Sequence, residues 1–232
     1  MAHRTIIVVG NSDGIGLGLT RRLLERGYRV EGLSRSVSPL AHANYRHTVV
    51  DVTATEYTQI LSGIVGDGGQ VAAAVYCAGI GERTTPDSIG LDLKVFDVNL
   101  LGAIRTAEIV LPGMCRTGAG RFIVLSSQAD VIVSHQASSY CASKAALSSY
   151  FEGLGLHLRN TGVRICNVRF GFVETKMARS GLQPFRMTVE QAARRLVGLL
   201  EGRCPLRVTY PRRMAVVVGA VACVQRVRIA WG

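Results

Sequence analysis

Strand-length apolar runs alternate with helix-length amphipathic segments along nearly the whole chain of 232 residues. The apolar runs are continuous, which is typical of strands covered on both faces in a parallel sheet. Seven such runs predict strands at residues 5–9, 29–33, 46–50, 71–76, 121–126, 163–168 and 206–210. Helical patterns occupy residues 15–26, 56–65, 91–111, 138–159 and 189–201. This order predicts an α/β fold, a doubly wound and mainly parallel seven-stranded sheet with helices on both faces.

Length and composition favour one domain. A chain of this size with 48% hydrophobic residues fits a single α/β unit over residues 1–232, ending in a basic and apolar segment at 203–232. No stretch reaches the roughly 18–20 apolar residues that a spanning helix needs, and the N-terminus lacks a signal-peptide core. The six cysteines show no metal-ligand spacing. We therefore expect reduced thiols, no metal site and a cytoplasmic protein.

A glycine-rich loop joins the first strand to the first helix. Gly10 permits a tight turn, Gly14 lets the backbone approach a pyrophosphate, and Gly16 allows close packing of helix on strand. The helix N-terminus adds amide donors and a favourable dipole. The loop therefore predicts a dinucleotide-binding Rossmann domain.

A tyrosine and a lysine lie four residues apart where the fourth long helix begins. Tyr140 and Lys144 project from one face of that helix, so the phenol and the ammonium are neighbours. A lysine cation favours the phenolate, and we expect it to lower the pKa of Tyr140 from its usual value near 10. The pair predicts proton transfer at a carbonyl or alcohol oxygen.

The spacings G-x-x-x-G-x-G at residues 10–16 and Y-x-x-x-K at 140–144 resemble the short-chain dehydrogenase/reductase family, over about residues 5–210. The resemblance implies a nicotinamide-dependent enzyme that interconverts a ketone or aldehyde and an alcohol. It implies that Tyr140 is the general acid/base and that Ser127 orients the carbonyl. Lys144 would bind the nicotinamide ribose, and Asn99 would hold a water of the proton relay.

The family pattern also implies a set of cofactor contacts. Asp51 would contact the adenine ring, and Val173 and Thr175 would flank the nicotinamide carboxamide. The predicted cofactor-binding residues are Gly10, Asn11, Ser12, Gly14, Ile15, Gly16, Ser34, Arg35, Asp51, Val52, Ala78, Gly79, Tyr140, Lys144, Gly171, Val173 and Thr175. The sequence departs from the pattern at supporting positions: Val9 replaces a threonine, Tyr76 and Cys77 replace two asparagines, and Phe170 replaces a proline.

The end of the second strand bears on which nicotinamide cofactor is used. An NAD enzyme would carry an acid at position 34, but Ser34 is neutral and Arg35 follows it. A guanidinium can fork onto a 2′-phosphate. Asp13 points the other way, because NADP-preferring family members often carry a base there. We expect NADP(H) rather than NAD(H).

The substrate walls are predicted to be two loops and a flap. In the family the segment after residues 170–175 covers the substrate; here residues 176–187 form it before Thr188 caps the next helix, with Gln191 at capping-box spacing. The flap carries Met177, Arg179, Leu182, Phe185, Arg186 and Met187. Residues 128–139, with His135 and Gln136, and the loop 81–85 would form the opposite wall. This pocket fits a ketone or alcohol of moderate size.

The positive net charge of the chain is compatible with several kinds of binding partner. The net charge is +11, and the 31 residues after Glu201 contain six arginines and no acid. We expect this segment to pack on the core or on a partner subunit of a homodimer or homotetramer; an anionic membrane and an acyl-carrier protein are the alternatives. No nucleic-acid-binding module is recognised. Two other hypotheses are a non-catalytic NADP(H)-sensing protein and a membrane-associated reductase of lipid-like ketones.

Overall fold

A computed structural model describes residues 5–67, 70–81, 83–177 and 183–231. The described strands number seven and agree with the prediction to within a few residues at each end. They are β1 Thr5–Val9, β2 Arg29–Ser34, β3 Tyr45–Val49, β4 Val71–Tyr76, β5 Gly120–Ser127, β6 Val163–Phe170 and β7 Arg207–Tyr210.

The strands form a single sheet in the order β3-β2-β1-β4-β5-β6-β7. Every described strand pairing is parallel. The order reverses between β1 and β4, and ligands bind at such a switch point, beyond the carboxyl ends of the strands. The predicted glycine loop and the ends of β4 and β5 all lie on this edge.

Helices cover both faces of the sheet, as predicted. The α-helices are α1 Gly14–Glu25, α2 Tyr57–Asp67, α3 Asp92–Phe96, α4 Gly102–Thr117, α5 Ser138–His157, α6 Val189–Glu201 and α7 Arg212–Trp231. One apolar core lies under α2, α4 and α5 and another under α1 and α6. The structure is therefore the doubly wound Rossmann-like α/β arrangement that strand–helix alternation predicts.

The region predicted as one helix over residues 91–111 is interrupted. It begins as a 3₁₀ turn at Pro86–Leu91 and continues through α3. A π-helical turn at Asp97–Leu101 then separates α3 from α4. A hydrophobic periodicity of 3.6 does not reveal one inserted residue, which is why the sequence missed this turn.

Two sites show how side chains anchor the helices around the sheet. Phe151 of α5 stacks on Phe122 of β5 with ring centroids 5.4 Å apart. Thr188 and Gln191 form the predicted capping box of α6, each accepting from the other's backbone amide at 3.1 Å. The first contact fixes α5, and with it the predicted catalytic tyrosine and lysine, against the sheet.

Two helical stretches are long and apolar enough to cross a membrane by length and composition, Pro86–Thr117 and Arg212–Trp231. The expectation that no stretch has the length and composition of a spanning helix is therefore wrong, because these helices reach the necessary mean hydropathy although they include charged residues. Half of the first is buried within the protein, but only 6% of the second is. The first is a core element, and the second lies largely exposed.

Candidate active site

The glycines of the loop make close backbone contacts that a larger residue would block. A Cβ at Gly10 (φ +82°) would lie 2.5 Å from the Ala78 amide nitrogen, and one at Gly16 would lie 2.1 Å from the Gly10 oxygen. Gly14 (φ +51°) faces Thr175, whose Cγ2 would lie 3.3 Å from an added Cβ. The fold thus brings the glycine loop after β1 close to Ala78, which follows β4, and to Thr175, which follows β6.

Asp13 caps the N-terminus of α1. Its Oδ1 accepts from the Gly14 amide at 2.8 Å, and its Oδ2 lies 2.8 Å from Lys176 Nζ. The predicted contacts Ser12 and Ile15, on either side of it, are half-buried. Asp13, the residue that argues against NADP(H) in the sequence, therefore forms an ion pair with Lys176. The glycine-loop pattern does not predict this pair.

The buried Asn11 connects the loop to the third strand. Its Nδ2 donates to the Tyr45 hydroxyl at 2.6 Å, and that hydroxyl lies 3.1 Å from His47 Nδ1. His47 Nε2 lies 3.1 Å from the carbonyl oxygen of Ser36. Sequence reasoning missed Tyr45 and His47; their two-residue spacing on β3, facing β2, is the signal that would have found them. They hold the turn that carries Arg35.

Asp51 and Arg35 lie near each other at the ends of adjacent strands. Burial favours a raised pKa for Asp51, but two hydrogen bonds from Thr53, both 2.9 Å, and the charges of Arg35 and Lys94 outweigh it. The pKa of Asp51 therefore lies below its usual value, and the carboxylate is ionised. Ser34 is buried, whereas Arg35 is exposed at this edge.

Three other predicted cofactor residues lie close to the protein interior. Val52 is buried in the core beside α4. Val173 is buried and bridges to Met187. A Cβ at Gly171 would lie 2.4 Å from Met214 Sδ. Gly171 therefore allows the start of α7 to approach the end of β6.

Asn99 is fully buried on the π-helical turn and clamps the chain after β4. Its Oδ1 accepts from the Ile80 amide at 2.8 Å, and its Nδ2 donates to the Ile80 carbonyl at 2.9 Å and to Ser143 Oγ at 3.0 Å. An added Cβ at Gly79 would lie 3.4 Å from Asn99 Oδ1 and 3.5 Å from Lys144 Nζ. Asn99, Lys144 and the backbone at Gly79 thus lie close together after the end of β4.

Lys144 is buried and anchored to β5. Its Nζ donates to the Leu125 carbonyl at 2.8 Å and lies 5.9 Å from the centroid of the Tyr140 ring. Burial lowers the pKa of Lys144 to about 8, against a smaller opposing effect of Cys77. The Lys144 ammonium donates to a neutral carbonyl and not to a carboxylate. Its remaining N–H groups could therefore donate to the hydroxyls of a bound ribose.

Tyr140 and Ser127 approach each other from α5 and the end of β5. Burial raises the pKa of Tyr140, the nearby Ser127 side chain, whose Oγ accepts from the Ala129 amide at 3.1 Å, opposes the rise, and Cys141 and Asp130 add to it. The expectation that Lys144 lowers this pKa is therefore wrong for the protein without cofactor. Sequence spacing places the two side chains on one helix face but does not report how far the phenol is removed from water.

Tyr76 compensates for one departure from the family pattern. Its buried hydroxyl donates to the Val98 carbonyl at 2.5 Å, on the π-helical turn. A Cβ at Gly102 would lie 2.3 Å from that hydroxyl, so α4 must begin with a glycine here. Tyr76 thus ties the end of β4 to the turn of Asn99, where an asparagine was expected to stabilise the strand.

A buried ionic network supports the end of β5, and sequence reasoning missed it. Asp130 accepts from Ser148 Oγ and from Arg169 Nε, both at 2.6 Å. Ser148 lies 2.8 Å from Ser126 Oγ, which donates to the Lys144 carbonyl at 3.2 Å. The signal in the sequence is Arg169, a charged residue that lies one position before the end of β6 and whose neighbours Val168 and Phe170 are apolar. The network fixes α5 relative to the segment that follows Ser127.

The two predicted substrate loops are hydrogen-bonded to each other beside Tyr140. The Thr84 amide donates to the Gln136 carbonyl at 2.9 Å, and the Ser138 amide donates to Thr84 Oγ1 at 3.0 Å. A Cβ at Gly81 would lie 3.2 Å from the Tyr140 ring. His135 is exposed, as expected of a loop histidine.

The predicted flap is only partly described, since Arg179 and Leu182 lie outside the described residues. Met177 and Phe185 are exposed to 50% and 48%, as side chains of an open flap would be. Met187 is buried in the core with β6 and α6, so its assignment to the flap is wrong. Arg186 lies 2.8 Å from Glu174 and is thus engaged in an ion pair.

The low pKa of Lys144 predicts a pH-dependent stability. Since the pKa is about 8 in the folded protein and 10.5 is its ordinary value, the unfolded chain binds more protons between these limits. The free energy of unfolding should therefore rise with pH in this window, by up to about 1.4 kcal/mol per unit, and lose this contribution below it. Urea unfolding of wild type and Lys144→Met at several pH values isolates the effect, because the other titrating groups are common to both. A difference between them that stays constant across this window would contradict the account.

The comparisons agree with this geometry. The family model for short chain dehydrogenases matches residues 4–184, and the chain belongs to the short-chain dehydrogenase/reductase family. It is an oxidoreductase, and the family uses NAD(P)(H).

Relatives and solved structures cover nearly the whole chain. An uncharacterized oxidoreductase of Myxococcus xanthus is 30% identical, with 94% of each chain covered. A putative ketoacyl reductase of Streptomyces coelicolor is 31% identical over 91% of this chain and 87% of its own. A short chain dehydrogenase from Burkholderia cenocepacia, solved in complex with NADP, is 22% identical, covers 97% of this chain and 96% of its own, and has a TM-score of 0.83. The last likeness shows the fold.

Proposed function

We propose that the protein is an NADP(H)-dependent reductase of a ketone or aldehyde, or the corresponding alcohol dehydrogenase. The observation that carries the proposal is the convergence of Asn99, Ser127, Tyr140 and Lys144 beside the glycine loop. A Cβ added at Gly79 would lie in van der Waals contact with both Asn99 and Lys144, and Lys144 Nζ lies 5.9 Å from the centroid of the Tyr140 ring. Ser127 lies close enough to Tyr140 to oppose the rise in its pKa. The relative described as a putative ketoacyl reductase also supports a carbonyl substrate.

The residues that would hold the cofactor fit its chemistry. The amides at the start of α1 suit a pyrophosphate, and the glycines leave no side chain in its way. Asn11 Oδ1 is buried and accepts no hydrogen bond within the described part of the chain. Because the Asn11 side chain is fully buried and packs over Gly32, it shapes the loop from the protein side and leaves the open side to the glycines. The bound nicotinamide would supply the hydride.

The protein's own groups would handle the proton. Ser127 and Tyr140 bond the carbonyl oxygen of the substrate, and Tyr140 donates its proton to that oxygen as the alcohol forms. The raised pKa of Tyr140, caused by burial, keeps the phenol protonated at neutral pH. In the reverse direction the Tyr140 phenolate accepts the proton of the alcohol, and the relay at Asn99 would carry the proton away.

The preference for NADP(H) is proposed from the end of β2. Arg35 is exposed there, next to a neutral Ser34, and no acid occupies the position that would bind a ribose 2′-hydroxyl. Asp13 stands where NADP-preferring family members often carry a base. Its ion pair with Lys176 places a cation beside this position, so Asp13 weighs less against NADP(H). A guanidinium at this site can make two parallel hydrogen bonds to a phosphate.

Arg35→Ala should weaken NADPH binding at least about tenfold, since hydrogen bonds to charged groups contribute about 1.5–3 kcal/mol. NADH binding should change little, because NADH has no 2′-phosphate. Titration calorimetry with both cofactors measures the two affinities. Arg116→Ala, an exposed arginine near the end of α4, is the matched control for the lost charge. Equal losses for NADPH and NADH would refute the assignment of Arg35.

A further inference from the structure

Helix α7 presents a long apolar stripe outward. Val217, Val221 and Val224 are spaced three to four residues apart and are 51%, 45% and 58% exposed. Val216 and Val227 beside them are 76% and 56% exposed. On the opposite side Met214 and Ala222 are buried against the protein. A contiguous apolar surface of this kind marks a docking site for something outside the described chain.

The charges on α7 are all positive. Arg212 and Arg213 begin the helix, Arg226 and Arg228 lie near its end, and residues 202–232 contain no acid. Within the described ranges none of these four arginines pairs with a carboxylate. An apolar stripe between cationic ends is complementary to a surface that is apolar inside and anionic outside.

A second copy of this chain fits the helix less well. In a twofold pair the same helix faces itself, so antiparallel helices would place Arg226 and Arg228 beside the partner's Arg212 and Arg213. Parallel helices would place each arginine beside its own equivalent. Since α7 contains no acidic residue, both pairings bring arginines only beside other arginines of α7, and like charges at close range repel.

The length of the apolar stretch decides between spanning and lying on a bilayer. The whole helix has the length and composition of a membrane-spanning one, but its uncharged part between Arg213 and Arg226, Met214–Gln225, spans only about 18 Å at 1.5 Å per residue. A hydrocarbon core is about 30 Å thick. Trp231 at the end of the helix is 88% exposed, and tryptophan favours the membrane–water interface. We propose that the outward face of α7 docks on an anionic lipid surface, with the helix axis parallel to it.

Docking in this way would bring the candidate active site near the lipid. Helix α7 follows the carboxyl end of β7 and packs on the turn Gln128–Val131, directly after Ser127. Gln225 accepts from the Val133 amide at 3.1 Å and donates to its carbonyl at 2.9 Å. The substrate loop is therefore bonded to the docking helix. This part rests on the proposed function, and it favours ketones that partition into a bilayer as substrates.

Flotation of the full chain with phosphatidylcholine vesicles, with and without phosphatidylglycerol, tests the docking. We expect the protein to float with the anionic vesicles and at least about tenfold less with phosphatidylcholine alone. Val217→Glu with Val224→Glu should abolish flotation. Leu93→Glu with Leu156→Glu adds the same charge at other exposed apolar positions and should leave it unchanged. Circular dichroism of each variant checks that it is folded.

Three results would overturn the proposal. One is that wild type fails to float at either lipid composition. Another is that the double α7 variant loses an oligomer, measured by sedimentation, while vesicle binding is unchanged; the helix would then be a subunit interface. The third is that an acidic acyl-carrier protein binds α7 and vesicles do not. Flotation needs neither cofactor nor substrate, so turnover of a water-soluble ketone, assayed separately, reports failure of the proposed function alone.

Discussion

Tyr140→Phe is expected to lower kcat about 10²–10⁴-fold while NADPH affinity stays nearly unchanged. The substitution removes only the phenolic oxygen, which is the proposed proton donor. The ring remains, so its packing beside Gly81 and near the ammonium of Lys144 is retained. Steady-state kinetics together with fluorescence titration of NADPH separates the two quantities.

Tyr150→Phe is a matched control for this prediction, since Tyr150 lies on the same helix with 43% exposure. It should leave both kcat and NADPH affinity unchanged. An unchanged kcat for Tyr140→Phe would refute its role as acid. A loss of cofactor affinity as large as the loss in kcat would instead assign Tyr140 to binding.

Gly16→Ala is expected to damage folding and cofactor binding together. The added Cβ would lie 2.1 Å from the Gly10 carbonyl oxygen, and both atoms belong to the backbone that shapes the loop. Relief requires α1 to move away from the loop, at a cost of about 1–3 kcal/mol of stability. Moving the helix also displaces its amides, so NADPH affinity should fall about tenfold or more.

Gly198→Ala makes the same chemical change at a place where the structure has room. Gly198 lies inside α6 with no atom within 4 Å of an added Cβ. Alanine should there stabilise the protein by about 0.5–1 kcal/mol and leave NADPH affinity unchanged. Chemical denaturation and calorimetry on both variants check the pair. If Gly16→Ala bound NADPH like wild type, the close packing of α1 on the loop would not be needed for binding.

The sheet was predictable because its strands are buried on both faces. Continuous apolar runs such as Thr5–Val9 and Val71–Tyr76 predict such strands without reference to the tertiary structure. The glycine loop was predictable for a related reason, since three glycines between a strand and a helix have a specific backbone role. The grouping of Asn99, Ser127, Tyr140 and Lys144 followed from the family resemblance.

Features that depend on three-dimensional contacts were not predictable. The π-helical turn at Asp97–Leu101 is held by Tyr76, which lies 22 residues before Val98 in the chain yet donates to its carbonyl. The pairing of Asp13 with Lys176 likewise joins residues far apart in the sequence. The raised pKa of Tyr140 results from burial by elements that sequence spacing does not describe. The same holds for the exposure of α7, which we expected to pack on the core or on a partner subunit because members of the family commonly form dimers or tetramers.

The most direct test of the account is transfer of deuterium from NADPH labelled at the nicotinamide C4 to a carbonyl compound. A panel of aldehydes, aromatic and aliphatic ketones and β-keto thioesters is incubated with wild type and with Tyr140→Phe, and the products are analysed by mass spectrometry. The account predicts a deuterium-labelled alcohol from at least one compound with wild type, and at least about a hundredfold less of it in the same time with the variant. NADPH bound by wild type with no labelled alcohol from any compound would contradict it and identify a cofactor-binding protein without turnover.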